Sequence, residues 1–308
     1  MVPPTPPQPA ATPAKRKIRN TSAGPAEKSI AVDAKVSISL CVTAGSIKVN
    51  GWDRDEVRAF VDGGSSLGFL VGPLNKQSKK ASSITILGYD PKAYKDLNID
   101  ECLEGENIEL DVPVGTSLTI KSESDISVDS IRKVRAENLS GNLNLRNISE
   151  SAEAKAYNGS IYAEETMGPL DLFASTGQIT VFEAGTNEIN DPIRIKSRNG
   201  SISLKNVEHI NVEVSSISGS LSFTGNLEPG GRYSFTTSSG KILLSLPKET
   251  SCKLTAVYGG TFETQMFKDI RNYNESGIKR AIGVIGSGEA ILNVTTYNGS
   301  IFIKPLKK

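Results

Sequence analysis

The residues that could carry out chemistry in this chain begin with a single histidine, His209, among 308 residues. A catalytic histidine needs a nucleophile beside it and a carboxylate that orients its ring. The adjacent Glu208 is a neighbour in sequence only. One histidine also cannot supply a metal site built from several histidine ligands. We therefore interpret His209 as an exposed loop residue and predict that the chain has no catalytic residues.

Carboxylates offer a second kind of chemistry, because β-helix enzymes that act on acidic polysaccharides bring several of them together with a lysine or an arginine. The carboxylates that could form such a site are Asp125, Asp129, Glu164, Glu165, Asp171 and Glu183. A polysaccharide lyase or hydrolase is therefore the alternative function, and it requires three or more of these groups to converge in one cleft. The default interpretation is that they form a solvated acidic rim.

The cysteines and the charge balance bear on several other kinds of site. Cys41, Cys102 and Cys252 are far apart and lack the C-x-x-C spacing of a metal site. At most one disulfide can form, and Cys252 shares its phase with apolar neighbours, which indicates a buried position. The acidic turn at Asp53 and Asp55 lacks the glycine and the closing glutamate of a calcium-binding loop. We predict no metal and no cofactor, and 35 basic against 34 acidic residues give no basic surplus for nucleic acid.

The elements that must position these residues follow a repeat. Nine times a short turn that ends in glycine precedes a strand with the same apolar pattern, and between Gly141 and Gly240 these glycines recur every 18 to 23 residues. A period of this size indicates a repeat array whose units bury their apolar faces against one another. Eight of the glycines are predicted to hold the turns with a positive φ: Gly45, Gly141, Gly159, Gly177, Gly200, Gly219, Gly240 and Gly299.

Two architectures fit the repeat. Hairpins with two-residue turns would match apolar positions within one unit, whereas a solenoid would stack each position on its counterpart one repeat away. The residue six positions before the turn glycine is, in successive repeats, Arg135, Glu153, Asp171, Arg194 and Glu213. Stacking would set most of these charges beside a partner of the opposite sign, an order that hairpins do not explain. We therefore predict an all-β, parallel solenoid with almost no helix, and a sandwich of stacked hairpins is the alternative.

The chain divides into a linker and one repeat domain. Residues 1–27 hold seven of the fifteen prolines and are interpreted as a disordered, proline-rich linker, and residues 28–308 as the solenoid domain. Irregular excursions are expected at residues 63–107 and 266–288, and the last rung, residues 290–305, is expected to close the array. No stretch is as long and apolar as a membrane span. The linker at the start suggests that a targeting segment was removed ahead of it.

Three stretches carry a resemblance to a known family. They are residues 45–53 (GSIKVNGWD), residues 109–115 (ELDVPVG) and residues 236–247 (TTSSGKILLSLP). In this order they resemble the putative-adhesin family of bacterial β-strand-repeat proteins, whose toastrack domain has no known function. The resemblance covers residues 29–305. It implies a right-handed parallel β-solenoid that is exported or attached to the bacterial envelope, without established catalytic residues.

A polar strip on the outside of the array is the predicted binding face. Its residues lie one and three positions after successive turn glycines: Gln178, Thr180, Ser201, Ser203, Ser220 and Ser222. Such hydroxyl and amide groups, repeated from rung to rung, could hydrogen-bond to an extended glycan or another envelope component. We predict a non-enzymatic, adhesin-like binding or structural module of the bacterial envelope or secreted fraction, located outside the cytoplasm. A scaffold that senses envelope stress is a further alternative.

Overall fold

The structure, a computed structural model, describes residues 25–64, 66–89, 102–275 and 278–306. Residues 1–24 of the predicted linker lie outside the described residues. The regular elements within the described residues are 25 β-strands, with no helix among them. The first twelve strands are β1 (Ala26–Trp52), β2 (Glu56–Asp62), β3 (Gly68–Val71), β4 (Ala81–Leu87), β5 (Leu103–Pro113), β6 (Ser117–Ser122), β7 (Ile126–Asp129), β8 (Lys133–Ser140), β9 (Leu143–Ile148), β10 (Ser151–Asn158), β11 (Ile161–Met167) and β12 (Leu170–Thr176). The others are β13 (Ile179–Gly185), β14 (Pro192–Asn199), β15 (Ile202–Val207), β16 (Asn211–Ser218), β17 (Leu221–Thr224), β18 (Arg232–Ser239), β19 (Ile242–Leu246), β20 (Cys252–Tyr258), β21 (Phe262–Thr264), β22 (Ile270–Glu275), β23 (Ile278–Ile285), β24 (Ala290–Thr296) and β25 (Ile301–Pro305).

The strands stack in two ladders, and one strand from each ladder forms a coil of the solenoid. The first ladder contains, in spatial order, β3, β4, β1, β6, β8, β10, β12, β14, β16, β18, β24, β20, β23 and β22. The second ladder contains β2, β5, β1, β7, β9, β11, β13, β15, β17, β19, β25 and β21. Pairing between successive coils is parallel, which confirms the predicted solenoid. The alternative of stacked hairpins is wrong, because strands that follow one another along the repeat do not pair as hairpins.

Charges on the first ladder stack in the order that the sequence predicts. Arg135, Glu153, Asp171, Arg194 and Glu213 lie directly opposite one another in successive strands. Arg135 Nη2 lies 2.6 Å from Glu153 Oε2. Burial opposes ionisation of Glu153, but hydrogen bonds from Arg135 and a neighbouring lysine outweigh it and lower the pKa of its carboxyl. Exposed pairs of this kind stabilise a fold by only about 0.2–1 kcal/mol each. This column of charges therefore favours the observed register but adds little to the stability of the solenoid.

The interior is a continuous stack of apolar side chains. Ile179, Ile202, Leu221 and Ile242 lie opposite one another in the second ladder and are each at most 1% exposed. Side chains alternate between the two faces of a strand, so every second residue points inward. Burying one aliphatic side chain of this size contributes about 1.5–3 kcal/mol. Each coil therefore depends on its neighbours for most of its stability.

The turn glycines pack against one another more closely than the sequence indicates. A positive φ, expected at all eight, is found at four of them: Gly45, Gly141, Gly177 and Gly240. The other four need glycine because two backbones approach each other. A Cβ atom on Gly200 would lie only 1.8 Å from the carbonyl oxygen of Gly177, the turn glycine of the preceding coil. Any side chain at this position would force neighbouring coils apart.

Substitution of Gly200 tests this contact without changing the preferred backbone conformation. We expect Gly200→Ala to lower the free energy of unfolding by about 1–3 kcal/mol, as overpacking does elsewhere. Gly225 is the matched control, because a Cβ atom there would meet its nearest neighbour at an ordinary 3.5 Å. Gly225→Ala should therefore leave the urea midpoint close to that of the unaltered protein. Equal midpoints for both variants would contradict the contact.

Chain order and stacking order differ at both ends of the solenoid. The last strands along the chain, β24 and β25, lie between the coil of β18 and β19 and the coil of β20 and β21. The expectation that residues 290–305 close the array is therefore wrong. In the same way β1 lies inside the stack, covered by β4 and β5. Residues 63–107 and 266–288 contain the antiparallel strands β3, β22 and β23, which pair at the ends of the first ladder and protect its edges.

Candidate functional site

Five of the six carboxylates of the enzymatic alternative lie on the second ladder, in the coils from β7 to β13. Asp129 and Glu164 flank Arg146 on the second ladder, with carboxylate oxygens 3.9 and 3.8 Å from its Nε. Asp125 lies at the glycine turn of the same ladder, where its Oδ1 accepts a hydrogen bond from a backbone N–H of the next coil. Asp171 lies on the first ladder. Within the described residues, two of the six carboxylates thus pair with Arg146. Glu183 lies in the same region, because burial and the charges of Glu164 and Glu183 raise the pKa of the Tyr162 hydroxyl while Arg146 opposes the shift.

Asp129 also lacks the protonation behaviour of a general acid. Burial raises the pKa of its carboxyl, but hydrogen bonds from Asn147 and Ser130 and the charge of Arg146 outweigh burial and lower it. A carboxylic acid that donates a proton near neutral pH needs a raised pKa. Asp129 is therefore held in its ionised form, in an ion pair with Arg146 that Glu164 shares.

Glu165 and Glu183 occupy a position set by the backbone. Their φ angles are 51° and 54°, and Asn147 and Asn206 have the same left-handed conformation in neighbouring coils. This conformation costs a residue other than glycine about 1–2 kcal/mol. It redirects the chain at the corner opposite the glycine turns, since the next residue is buried in each case. Both glutamate side chains are exposed, and the sequence pattern did not indicate this second corner.

His209 is fully buried, so the prediction of an exposed loop residue is wrong. Its Nε2–H donates a hydrogen bond of 2.9 Å to the carbonyl of Gly168, two coils away, and its Nδ1 has no hydrogen-bond partner among the residues that the structure describes. The longest step of the repeat runs from Gly177 to Gly200, and residues 187–190 within it are exposed. The imidazole fills the interior beside this enlarged corner. Periodicity gives no signal for that placement, because the histidine lies between two strands.

Burial makes the stability of the protein sensitive to pH through this side chain. Desolvation lowers the pKa of His209, although the Gly168 carbonyl and Asp191 oppose the shift. The neutral ring therefore stabilises the fold above the unfolded-state pKa of about 6.5, and this stabilisation is lost as the pH falls below that value. We expect the urea midpoint to fall more between pH 7.5 and pH 5 for the unaltered protein than for His209→Gln, which cannot titrate. Parallel pH profiles would contradict this assignment.

Metal-ligating side chains are paired or scattered. The described residues contain no group of three or more histidine, cysteine or acidic residues that could hold a metal ion. Asp55 of the acidic turn pairs with Lys80, at 2.8 Å between Oδ2 and Nζ. Cys41 and Cys102 form a disulfide, and Cys252 is a buried free thiol whose pKa burial raises to about 11. The buried Cys252 is as predicted, and the single disulfide, whose formation and partners were left open by the sequence, stays within the limit of one. The absence of a metal and of a cofactor stays a prediction.

The predicted binding face lies on the outer surface of the second ladder. Thr180, Ser203 and Ser222 lie directly opposite one another in β13, β15 and β17 and are half-buried. The exposed residues of the preceding turns are Gln178, Ser201 and Ser220. Strands in a sheet are spaced about 4.8 Å apart, so the strip presents one hydroxyl per coil at that interval. We call these six residues the polar strip.

Turn side chains change their role along the stack. In the coils before the polar strip, Asp125, Asn142 and Ser160 each accept a hydrogen bond from a backbone N–H of the next coil, at 2.6, 3.0 and 3.1 Å. The equivalent residues of the polar strip form no side-chain hydrogen bond within the part of the chain that the structure describes. Their polar groups therefore face solvent.

Beyond Ser222 the outer column becomes apolar and enters a groove. Leu243 and Phe302 continue the column in register, in β19 and β25. They form one wall of a groove of about 840 Å³, which Phe262, Ile270 and other residues of the last coils complete. We call it the C-terminal groove. This groove was not predicted from the sequence, although Leu243 and Phe302 break the hydroxyl pattern at the third position after Gly240 and Gly299.

The comparisons with known proteins give one family and three distant structures. Residues 75–304 match the model of the family described as Toastrack DUF4097. No curated protein matches the chain. A putative adhesin from Parabacteroides distasonis ATCC 8503 is 13% identical, with a TM-score of 0.33, and the alignment covers 92% of this chain and 98% of that one. A putative adhesin from Parabacteroides merdae ATCC 43184 is 9% identical, with a TM-score of 0.31 and coverage of 92% and 97%. A putative cell adhesion protein from Clostridium sporogenes ATCC 15579 is 13% identical, with a TM-score of 0.21 and coverage of 91% and 99%. TM-scores this low support no inference about the fold or the ligand of this chain.

The described residues include no helix that could cross a membrane.

Proposed function

The chain belongs to the Toastrack DUF4097 family, and we propose that it is a non-enzymatic, adhesin-like binding module that acts outside the cytoplasm. Its ligand is an extended polymer of the cell envelope, a glycan above all. The polar strip on the second ladder is the binding face. The family description names no function, so the proposal adds a function to the family assignment.

The observation that carries the proposal is the column formed by Thr180, Ser203 and Ser222. Parallel register places these hydroxyls opposite one another, and their backbones are held by the ladder. A ligand therefore meets donors and acceptors that are already ordered, which lowers the entropy lost on binding. A polymer can repeat the same hydrogen bond from coil to coil, whereas a small molecule contacts only one or two.

The disulfide supports a location outside the cytoplasm. Cys41 and Cys102 are joined across 61 residues of sequence. Disulfides persist in the periplasm, at cell surfaces and in secreted proteins, and they are rare in the reducing cytosol. A module at the envelope or in the secreted fraction fits this chemistry.

A binding screen on glycans and peptidoglycan tests the proposal, run beside assays for released reducing ends and unsaturated products. We expect binding without turnover. Replacing Ser203 and Ser222 by arginine should weaken binding by about tenfold or more, since bulky side chains would cover the strip. Ser215 and Thr236 are matched control positions, because they are half-buried and face outward on the first ladder.

Three results would overturn the proposal. Binding that survives arginine at Ser203 and Ser222 but is lost with arginine at Ser215 and Thr236 would move the ligand to the first ladder. Turnover that is abolished by Glu164→Gln would establish the polysaccharide-active enzyme instead. A chain that binds none of these polymers would favour the sensing scaffold instead.

A further inference from the structure

The two ladders end unequally at the C-terminal side of the stack. Past β20 the first ladder adds β23 and β22, whereas the second ladder ends at β21. Within the described residues, β21 pairs with β25 along one edge only. Its second edge opens into the C-terminal groove, which Phe262 and Thr264 of β21 line. The second ladder therefore has room for a further strand beneath the overhanging β22.

The backbone of β21 is oriented to accept that strand. On the paired edge, the Thr261 carbonyl accepts a hydrogen bond from β25, and the Gln265 N–H donates one to β25. In a parallel ladder the N–H and C=O of a residue point to the same neighbour, and the side alternates from one residue to the next. The N–H and C=O groups of Phe262 and Thr264 therefore point into the groove. An unpaired edge of this kind is a template for another strand.

Side chains around the free edge combine aromatic surface with positive charge. Phe262 stacks on Tyr258, with ring centroids 5.5 Å apart. Lys241 Nζ lies 5.7 Å from the centroid of the Phe302 ring. The charged residues that line the groove are Lys241, Lys268, Lys304 and Glu263. Three cations against one anion favour a ligand that is apolar in part and acidic in part.

We propose that the C-terminal groove binds an extended peptide segment with acidic side chains, and that this segment adds as a strand to the free edge of β21. Main-chain hydrogen bonds to Phe262 and Thr264 give affinity, and alternate side chains of the peptide give specificity. Apolar side chains contact the phenylalanine rings, while acidic ones reach the lysines. A polysaccharide lacks amide groups at the spacing of a strand, so the free edge favours a peptide. The proposal does not rest on the polar strip.

Fluorescence anisotropy with a capped, labelled peptide of alternating valine and glutamate tests the proposal on the full chain. Three matched probes are compared with it. They are a peptide of alternating valine and lysine, the valine–glutamate peptide N-methylated at alternate residues, and an acidic oligosaccharide of galacturonate. We expect saturable binding of the acidic peptide only. N-methylation removes the donors that pair with a strand edge and should weaken binding by about tenfold or more. Failure of the acidic peptide to bind at millimolar concentration would overturn the proposal.

Charge reversal locates the site. Lys241→Glu should weaken binding of the acidic peptide by about tenfold, because it replaces an attraction by a repulsion. Lys205 is the matched control, since its Nζ lies 5.2 Å from the Phe182 ring on the same outer face but outside the groove. Lys205→Glu should leave binding unchanged. An equal effect of both substitutions, no effect of N-methylation, or displacement of the peptide by the oligosaccharide would each overturn the proposal.

Discussion

Removing the disulfide between Cys41 and Cys102 is expected to lower the free energy of unfolding by about 4 kcal/mol, from the loop-closure entropy of a cross-link of this span. The bond joins residues 61 apart in sequence, one in β1 and the other directly before β5. These strands lie side by side although β2, β3 and β4 separate them along the chain. The disulfide therefore restricts the unfolded chain in the region of β1 and β5, where the order of strands in the stack differs from their order along the chain.

Urea unfolding of the double variant Cys41→Ser, Cys102→Ser checks this value. The same variant is the control for chemical reduction, because Cys252 is already a free thiol. A reductant should shift the midpoint of the unaltered protein and leave that of the double variant in place. A double variant with an unchanged midpoint would show that the β1–β5 contact needs no cross-link.

Phe223→Ala is expected to destabilise the protein by about 3–5 kcal/mol, the usual cost of truncating a buried phenylalanine. The ring is fully buried and lies 5.4 Å from Phe235 and 6.2 Å from Tyr233, measured between ring centroids. Phe223 belongs to the second ladder and its two partners to the first. The substitution therefore leaves a cavity between the two ladders and removes contacts between adjacent coils.

Phe182→Ala is the matched control, because the same atoms are removed from a half-buried ring on the outer face. It should cost less than about 1 kcal/mol, as surface substitutions do. Urea midpoints of the two variants give the comparison. Similar midpoints would mean that the interior between the ladders relaxes around the lost ring.

The sequence by itself determined the repeat and the inward face of each strand. Ile179 and Ile202 are buried and in register because a period of two fixes which side chains share a face. The charges of Arg135 and Glu153 indicated parallel stacking because opposite charges gain from lying side by side. A buried Cys252 followed from the same alternation. These features depend on residues close in sequence, or on a pattern that every coil repeats.

Only the tertiary structure decided the order of coils at the two ends. The coil of β24 and β25 has the same apolar pattern as its neighbours, so the pattern does not specify which strand it meets. The contact between Gly200 and Gly177, the burial of His209 and the free edge of β21 also depend on contacts between coils. A repeated sequence gives equivalent positions equivalent surroundings. Where the surroundings differ, at the ends and at the enlarged corner, the packing of distant residues sets the outcome.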